Sequence, residues 1–373
     1  MPELRRSWYS QTNMPLTQLK PPTHMLREIL SQPECWSECI RQLETDAVLR
    51  EITANVPADS EWLFIGCGTS YYLALSAAAS FSAITGMPAR AVPASEVLLF
   101  PDTVLPRRRP IVPVLISRSG RTTEVVKARD YLEDERGIRT IAITCAADQV
   151  LAQASCFPII LSAAEELSTV MTRSFSSMLL GLQYLAATLI GDVGVLQALK
   201  HLPKAAEPLF LETPPRLRDF VDRYDFDDYV FLGHGPFYGI ACEAALKVME
   251  SSCSYAQSFH SLEFRHGPKS IVSAKTMVGF FLSDAGYAAE VDLLEEIKSL
   301  GAITFVVTPR VDSRVRARAD LLVEVPMEGP ECLRLAGCIP WGQLLGLYTG
   351  LKKGLNPDSP RNLSQVVILN EIP

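Results

Sequence analysis

Short apolar runs alternate with segments of helical period along most of the chain. Trp62 to Ile65, Arg90 to Pro93, Ile111 to Ile116, Thr140 to Thr144 and Pro158 to Leu161 read as strands, with an Ala-rich helix ending near Ile84 and another helix from Val125 to Leu132 among them. A long apolar helix follows from about Met171 to Ile190. The pattern restarts at Phe231, with strands at Thr276 to Ser283, Ala302 to Thr308 and Leu321 to Val325 and a helix from Leu333 to Leu351. Such alternation implies right-handed crossovers, and so mostly parallel sheets with helices on both faces. Ahead of the first strand, Met1 to Gln18 reads as an extended arm, and His24 to Leu30 and Pro33 to Asn55 read as helices. Pro203, Pro208, Pro214 and Pro215 put an interdomain connection at Gly191 to Pro215.

The two halves are copies of one unit. Phe64-Ile-Gly-Cys-Gly-Thr-Ser-Tyr71 aligns with Phe231-Leu-Gly-His-Gly-Pro-Phe-Tyr238 at an offset of 167, and Ser117, Gly120, Glu124 and Val125 align with Ser283, Gly286, Glu290 and Val291 at an offset of 166. The expected fold class is α/β: two tandem doubly wound, three-layer α/β/α domains with an N-terminal helical extension. The expected limits are 1–50 for the arm and helices, 51–200 and 216–355 for the domains, and 356–373 for a tail that closes the site.

Composition narrows the partners. Of 373 residues, 48% are hydrophobic, ample for two cores, and the net charge of −7 argues against nucleic acid or an anionic membrane. There is neither an apolar run of about eighteen residues nor a secretory-type N-terminus, which predicts a cytoplasmic protein. Nine cysteines sit mostly in apolar patterns without CxxC pairs and five histidines are scattered, so neither a metal nor an organic cofactor is expected.

Ser117-Arg-Ser-Gly-Arg-Thr-Thr-Glu124 joins an apolar strand to a helix, where unpaired amides and the positive dipole end converge. Its hydroxyls add donors, Gly120 allows a tight turn and two arginines add charge, a description that a phosphate monoester fits; an ordinary helix cap is the alternative. Gly66-Cys-Gly-Thr-Ser70 has the same strand-turn-helix context, but Tyr71 replaces the third glycine of a dinucleotide loop, which argues against NAD. In the second copy Arg118, Ser119, Arg121 and Thr122 become Asp284, Ala285, Tyr287 and Ala288. With Asp284 facing the equivalent position, one phosphate site per chain is expected.

Glu243, Lys247 and Glu250 share one helical face. Their apolar flanks fit a buried charged set, and their spacing equally fits a solvated salt-bridged stripe. Ser258 to Ser270 packs His260, Glu263, Arg265, His266 and Lys269 together, with His266 just before Gly267-Pro268, a turn or helix start.

Gly66 to Ser70, Ser117 to Thr122, Glu243 to Glu250, Glu263-Phe-Arg-His-Gly-Pro268 and Pro360-Arg-Asn-Leu363 together resemble the tandem sugar isomerase (SIS) family, notably the isomerase half of glucosamine-6-phosphate synthase. Arg27-Glu-Ile-Leu-Ser-Gln-Pro33, Met171-Thr-Arg-Ser-Phe175 and Phe264 to Ser270 are more similar to its aminosugar-phosphate deaminase/isomerase branch, whose members are often named tagatose-6-phosphate ketose/aldose isomerase. The resemblance implies that Ser70, Ser117, Arg118, Ser119 and Thr122 hold a 6-phosphate, with Cys67, Gly68 and Thr69 lining the pocket. It also implies that Glu250 moves a proton between C1 and C2 with Lys247 beside it. His266, contributed by the neighbouring subunit of a homodimer, would open the sugar ring.

Two departures qualify the likeness. Residue 2 is Pro and the first cysteine is Cys35, so glutamine-dependent synthesis is not expected of this chain alone. Gln365 stands where the synthase has an imine-forming lysine, so an imine would need Lys247 or the substrate's own amine. The activity implied is an aminohexose-6-phosphate deaminase/isomerase. A fructosamine-6-phosphate deglycase, a simple ketose/aldose phosphate isomerase and a non-catalytic phosphosugar sensor are the alternatives.

Overall fold

The computed structural model describes residues 23–57, 59–105, 109–326 and 329–369; the arm expected at 1–18 lies outside them. The first sheet contains β1 (Glu61–Gly66), β2 (Ala89–Pro93), β3 (Ile111–Ile116), β4 (Ile141–Thr144) and β5 (Phe157–Ile160) in the order β2-β1-β3-β4-β5. The second contains β6 (Asp228–Gly233), β7 (Ala256–Phe259), β8 (Thr276–Phe281), β9 (Ile303–Thr308) and β10 (Leu321–Glu324) in the order β7-β6-β8-β9-β10. Every pairing among these strands is parallel. The duplication seen in the motifs therefore extends to the topology. In each sheet the strand order reverses direction at the first pair, β1 with β3 and β6 with β8, and the crevice at the carboxyl ends of such a pair is where open α/β sheets hold ligands.

β1 enters the helix Thr69–Thr85, and β6 enters the helix Phe237–Ser252. A Cβ on Gly66 would lie 2.6 Å from the Ser70 backbone, and one on Gly233 would lie 2.5 Å from the Phe237 carbonyl oxygen. The same close approach demands glycine in both copies.

The inner faces of both sheets share one core, which includes Trp62, Phe64, Phe175, Phe231 and Trp341. Each outer face has its own smaller cluster, around Leu63 and Val125 in the first half and around Val230, Phe264 and Val291 in the second. The helix Phe237–Ser252 contributes Ile240, Ala244 and Val248 to the shared core, so charges on that helix are enclosed between the halves.

Three elements differ from the sequence reading. Gly191 to Pro215 is no open connection: Val193–Arg223 is helical through all four prolines, capped by Asp192, whose carboxylate accepts from the Val195 amide at 3.0 Å. Leu199, Phe210, Leu217 and Phe220 are buried along it, and Phe210 packs on Trp36 and Trp341 with ring centroids 5.8 and 5.1 Å away. Tertiary burial of that face overrides the proline signal. The helix read from Pro33 to Asn55 is two, Gln32–Thr45 and Val48–Asn55, divided at Asp46, which caps the Val48 amide at 2.9 Å. β7 was not anticipated, because only Ala256 of this edge strand is buried and no period shows. No helix among the described residues is long and apolar enough to cross a membrane.

Candidate active site

Adjacent strands β1 and β3 bring the turns 67–70 and 117–122 side by side at the switch point of the first sheet. Ser117 and Thr122 hydroxyls lie 3.1 Å apart, and Ser119 Oγ accepts from the Arg121 amide at 3.3 Å, with Gly120 at a φ of +64° making the bend. Thr69 and Ser70 begin the neighbouring helix. Burial, with Glu124 nearby, pushes the Cys67 thiol up to about 12, so it lines the turn as a neutral group. Arg118 points elsewhere: its guanidinium donates to the carbonyls of Ser168, Thr169 and Gln365 at 3.3, 3.1 and 2.9 Å.

The helix Phe237–Ser252 crosses the helix Thr69–Thr85, with Ser76 Oγ donating to the Pro236 carbonyl at 2.8 Å. This packing carries Lys247 to the first domain's cradle, where Nζ donates to Thr69 Oγ1 at 3.0 Å and to the Glu250 carboxylate. Glu243 Oε1 lies 3.2 Å from the same ammonium, an ion-pair contact without hydrogen-bond geometry. Glu243 and Lys247 are fully buried, which rules out the solvated stripe.

Two carboxylates thus flank one cation out of water. Burial pushes Glu243 up to about 8 against the pull of Lys247. Burial alone would lower Lys247, but Glu243 and Glu250 outweigh it and raise it. At neutral pH the set holds a protonated Glu243 and a cationic Lys247. Glu250, its side chain 18% exposed, is the member that a ligand can reach.

His266 is not brought to this set within the chain. Phe264 belongs to the outer cluster of the second sheet, and Arg265 and Lys269 pair with Glu296 at 2.8 and 2.6 Å. The Glu250 helix packs on the inner face, so the two residues sit on opposite faces of that sheet. His266 is exposed, and the helix start considered for Gly267-Pro268 is a four-residue 3₁₀ turn, Pro268–Ile271.

The second copy of the cradle is filled from inside. Glu290, fully buried, accepts from Ser283 N, Ser283 Oγ and Ser261 Oγ, each at 2.8 Å. The carboxylate at that turn is therefore Glu290; Asp284, which was expected there, pairs with Arg334 at 2.7 Å. The 166-residue offset already paired Glu290 with Glu124, but its inward rotamer had no sequence signal. Glu290→Ala would strand three buried donors at an expected cost of about 3 kcal/mol. Urea unfolding measures this, and a loss under about 0.5 kcal/mol would mean that the donors find other partners.

The SIS domain model matches residues 59–188. The chain is 28% identical over 353 residues to glutamine–fructose-6-phosphate aminotransferase (isomerizing) of Pyrobaculum aerophilum, an alignment covering 93% of this chain and 57% of that relative. It therefore spans little more than half the length of such curated relatives. Among solved structures it is similar to glucosamine-6-phosphate deaminase of Thermotoga maritima, with a TM-score of 0.74, 29% identity, and 93% of this chain and 100% of that one covered. The fold of tagatose-6-phosphate ketose/aldose isomerase from Escherichia coli also matches, with a TM-score of 0.80, 22% identity, and 94% and 96% covered. A SIS domain thus lies in the first half of the chain, and the same sheet order is repeated in the second.

Proposed function

We propose that the chain is a phosphosugar isomerase acting on an aminohexose 6-phosphate, which it isomerises and deaminates to a ketohexose 6-phosphate and ammonia. The observation that carries this reading is the Lys247 to Thr69 hydrogen bond, which joins the carboxylate set of one half to the hydroxyl-lined turn of the other. In the proposed roles Ser70, Ser117, Ser119 and Thr122 hold the phosphate, with Arg118 at the second position of the turn and Cys67, Gly68 and Thr69 as lining. Binding energy at the distant phosphate then positions the reacting carbons.

Glu250 takes the proton from C2 of the open-chain aminosugar and returns it to C1, leaving an imine at C2 made from the substrate's own amine. Water adds there and ammonia leaves. No lysine imine is needed, which suits a chain whose Gln365 amide donates to the Glu166 carbonyl and whose Lys247 is held cationic and thus non-nucleophilic. His266 of a second copy supplies the ring-opening acid/base in a homodimer, an assignment supported by its exposure and its separation from Glu250. A phosphosugar sensor is the second reading, favoured by Gln365 in the lysine position.

The test is to incubate the protein with glucosamine 6-phosphate and galactosamine 6-phosphate and to measure ammonia and ketose phosphate. Binding without either product would make it a sensor; ketose formation only from unaminated aldose phosphates would make it a simple isomerase. Ser119→Ala is expected to weaken binding of the sugar phosphate by about 1 kcal/mol or more. Unchanged affinity in a titration would remove Ser119 from the phosphate contacts.

A further inference from the structure

Arg118 occupies the second position of the Ser117 to Thr122 turn, yet its donors serve other groups. Nη1 donates to the Ser168 carbonyl and lies 3.5 Å from the Glu166 carboxylate, while Nη2 donates to Thr169 O and Gln365 O. Glu166 is itself pinned, accepting from the Thr172 amide at 2.7 Å and from the Ser174 hydroxyl. Gln365 is held twice, since its side-chain amide also reaches the Glu166 carbonyl at 3.3 Å.

Beyond Gln365 the tail crosses the start of the helix Thr123–Asp130. The Thr123 amide donates to Val367 O at 3.4 Å, and the Leu369 amide donates to Thr123 Oγ1 at 2.9 Å. The tail's apolar side chains add little, because Leu363, Val367, Ile368 and Leu369 remain 45%, 50%, 62% and 39% exposed. A strap with so little apolar burial depends on its polar ties; the Asp358 carboxylate anchors its start to the His24 and Met25 amides, and the Arg118 bond to Gln365 O is the charged tie beside the cradle.

We propose that Arg118 is a positioning residue that latches the C-terminal tail across the cradle, leaving direct phosphate contacts to the hydroxyls and turn amides. A guanidinium suits this task because its planar fork reaches three carbonyls at once, whereas an ammonium presents a point charge. The proposal rests on the phosphosugar reading in its phosphate and turnover measurements, while proteolysis of the tail tests it independently.

Arg118→Lys keeps the charge and loses the fork. It is expected to speed limited proteolysis of the tail, followed by intact mass, by about tenfold or more, the factor that one charge-assisted hydrogen bond supplies. The Kd for inorganic phosphate should hold within about threefold, because the charge and the hydroxyls remain. With glucosamine 6-phosphate, kcat should fall while KM moves little. A chain ending at Ser364, which leaves Arg118 untouched, should reproduce that kcat loss, and adding Arg118→Lys to it should cost nothing more. Unchanged tail protection in Arg118→Lys, or a phosphate Kd raised about tenfold with the tail still protected, would overturn the latch. Absence of turnover in the wild type sinks the catalytic reading and leaves the proteolysis and phosphate measurements to decide the latch.

Discussion

Glu250→Gln is expected to lower turnover by about 10² to 10⁴ while sugar-phosphate affinity changes no more than a few fold. The amide keeps the shape of the side chain and an oxygen for the Lys247 ammonium, but it cannot accept a carbon-bound proton. Folding should survive, because loss of the Glu250 charge lets the neighbouring Glu243 ionise and take over the pairing with Lys247, 3.2 Å away. Ammonia release at saturating substrate, paired with calorimetric binding of the same sugar phosphate, separates the two effects. Turnover within about fivefold of the wild type would end the assignment of Glu250 as base.

Lys247→Met is expected to cost about 3–5 kcal/mol of stability near neutral pH, since it leaves the Glu250 carboxylate and the buried Glu243 carboxyl without their cation. The loss should shrink on acidification as the carboxyls protonate. The wild type carries a weaker form of the same dependence. Glu243 sits at about 8, above its ordinary 4.5, so the folded chain binds this proton more tightly than the unfolded one. Its contribution is complete below 4.5 and is lost as pH rises through 8. Glu243→Gln should flatten the stability curve across that window. Urea melts of wild type, Glu243→Gln and Lys247→Met between pH 5 and 9 test all three statements; parallel curves would mean that the buried set does not hold a proton on Glu243.

Much of the architecture was legible because it is written in local periodicity. Apolar runs bounded by turns marked nine of the ten strands, and matching turns 167 and 166 residues apart disclosed the duplication. The strand missed, Ala256–Phe259, has no apolar run to mark it. The helix Val193–Arg223 was hidden for the opposite reason: four prolines signal a break locally, and only distant partners such as Trp36 and Trp341 outweigh them.

The candidate site divides in the same way. Residue types and spacing alone determined a hydroxyl-rich turn after β3, a Glu-Lys-Glu face on one helix and a single donor-rich cradle per chain, because these depend on neighbours a few positions apart. The tertiary structure decided that the Glu-Lys-Glu face is buried, that Lys247 reaches Thr69 178 residues away, that Arg118 holds Gln365 247 residues away, and that Glu290 fills the second turn. Each of these is a choice of partner for a charged group leaving water. That choice belongs to whatever the fold brings within about 3 Å, not to the segment that carries the charge.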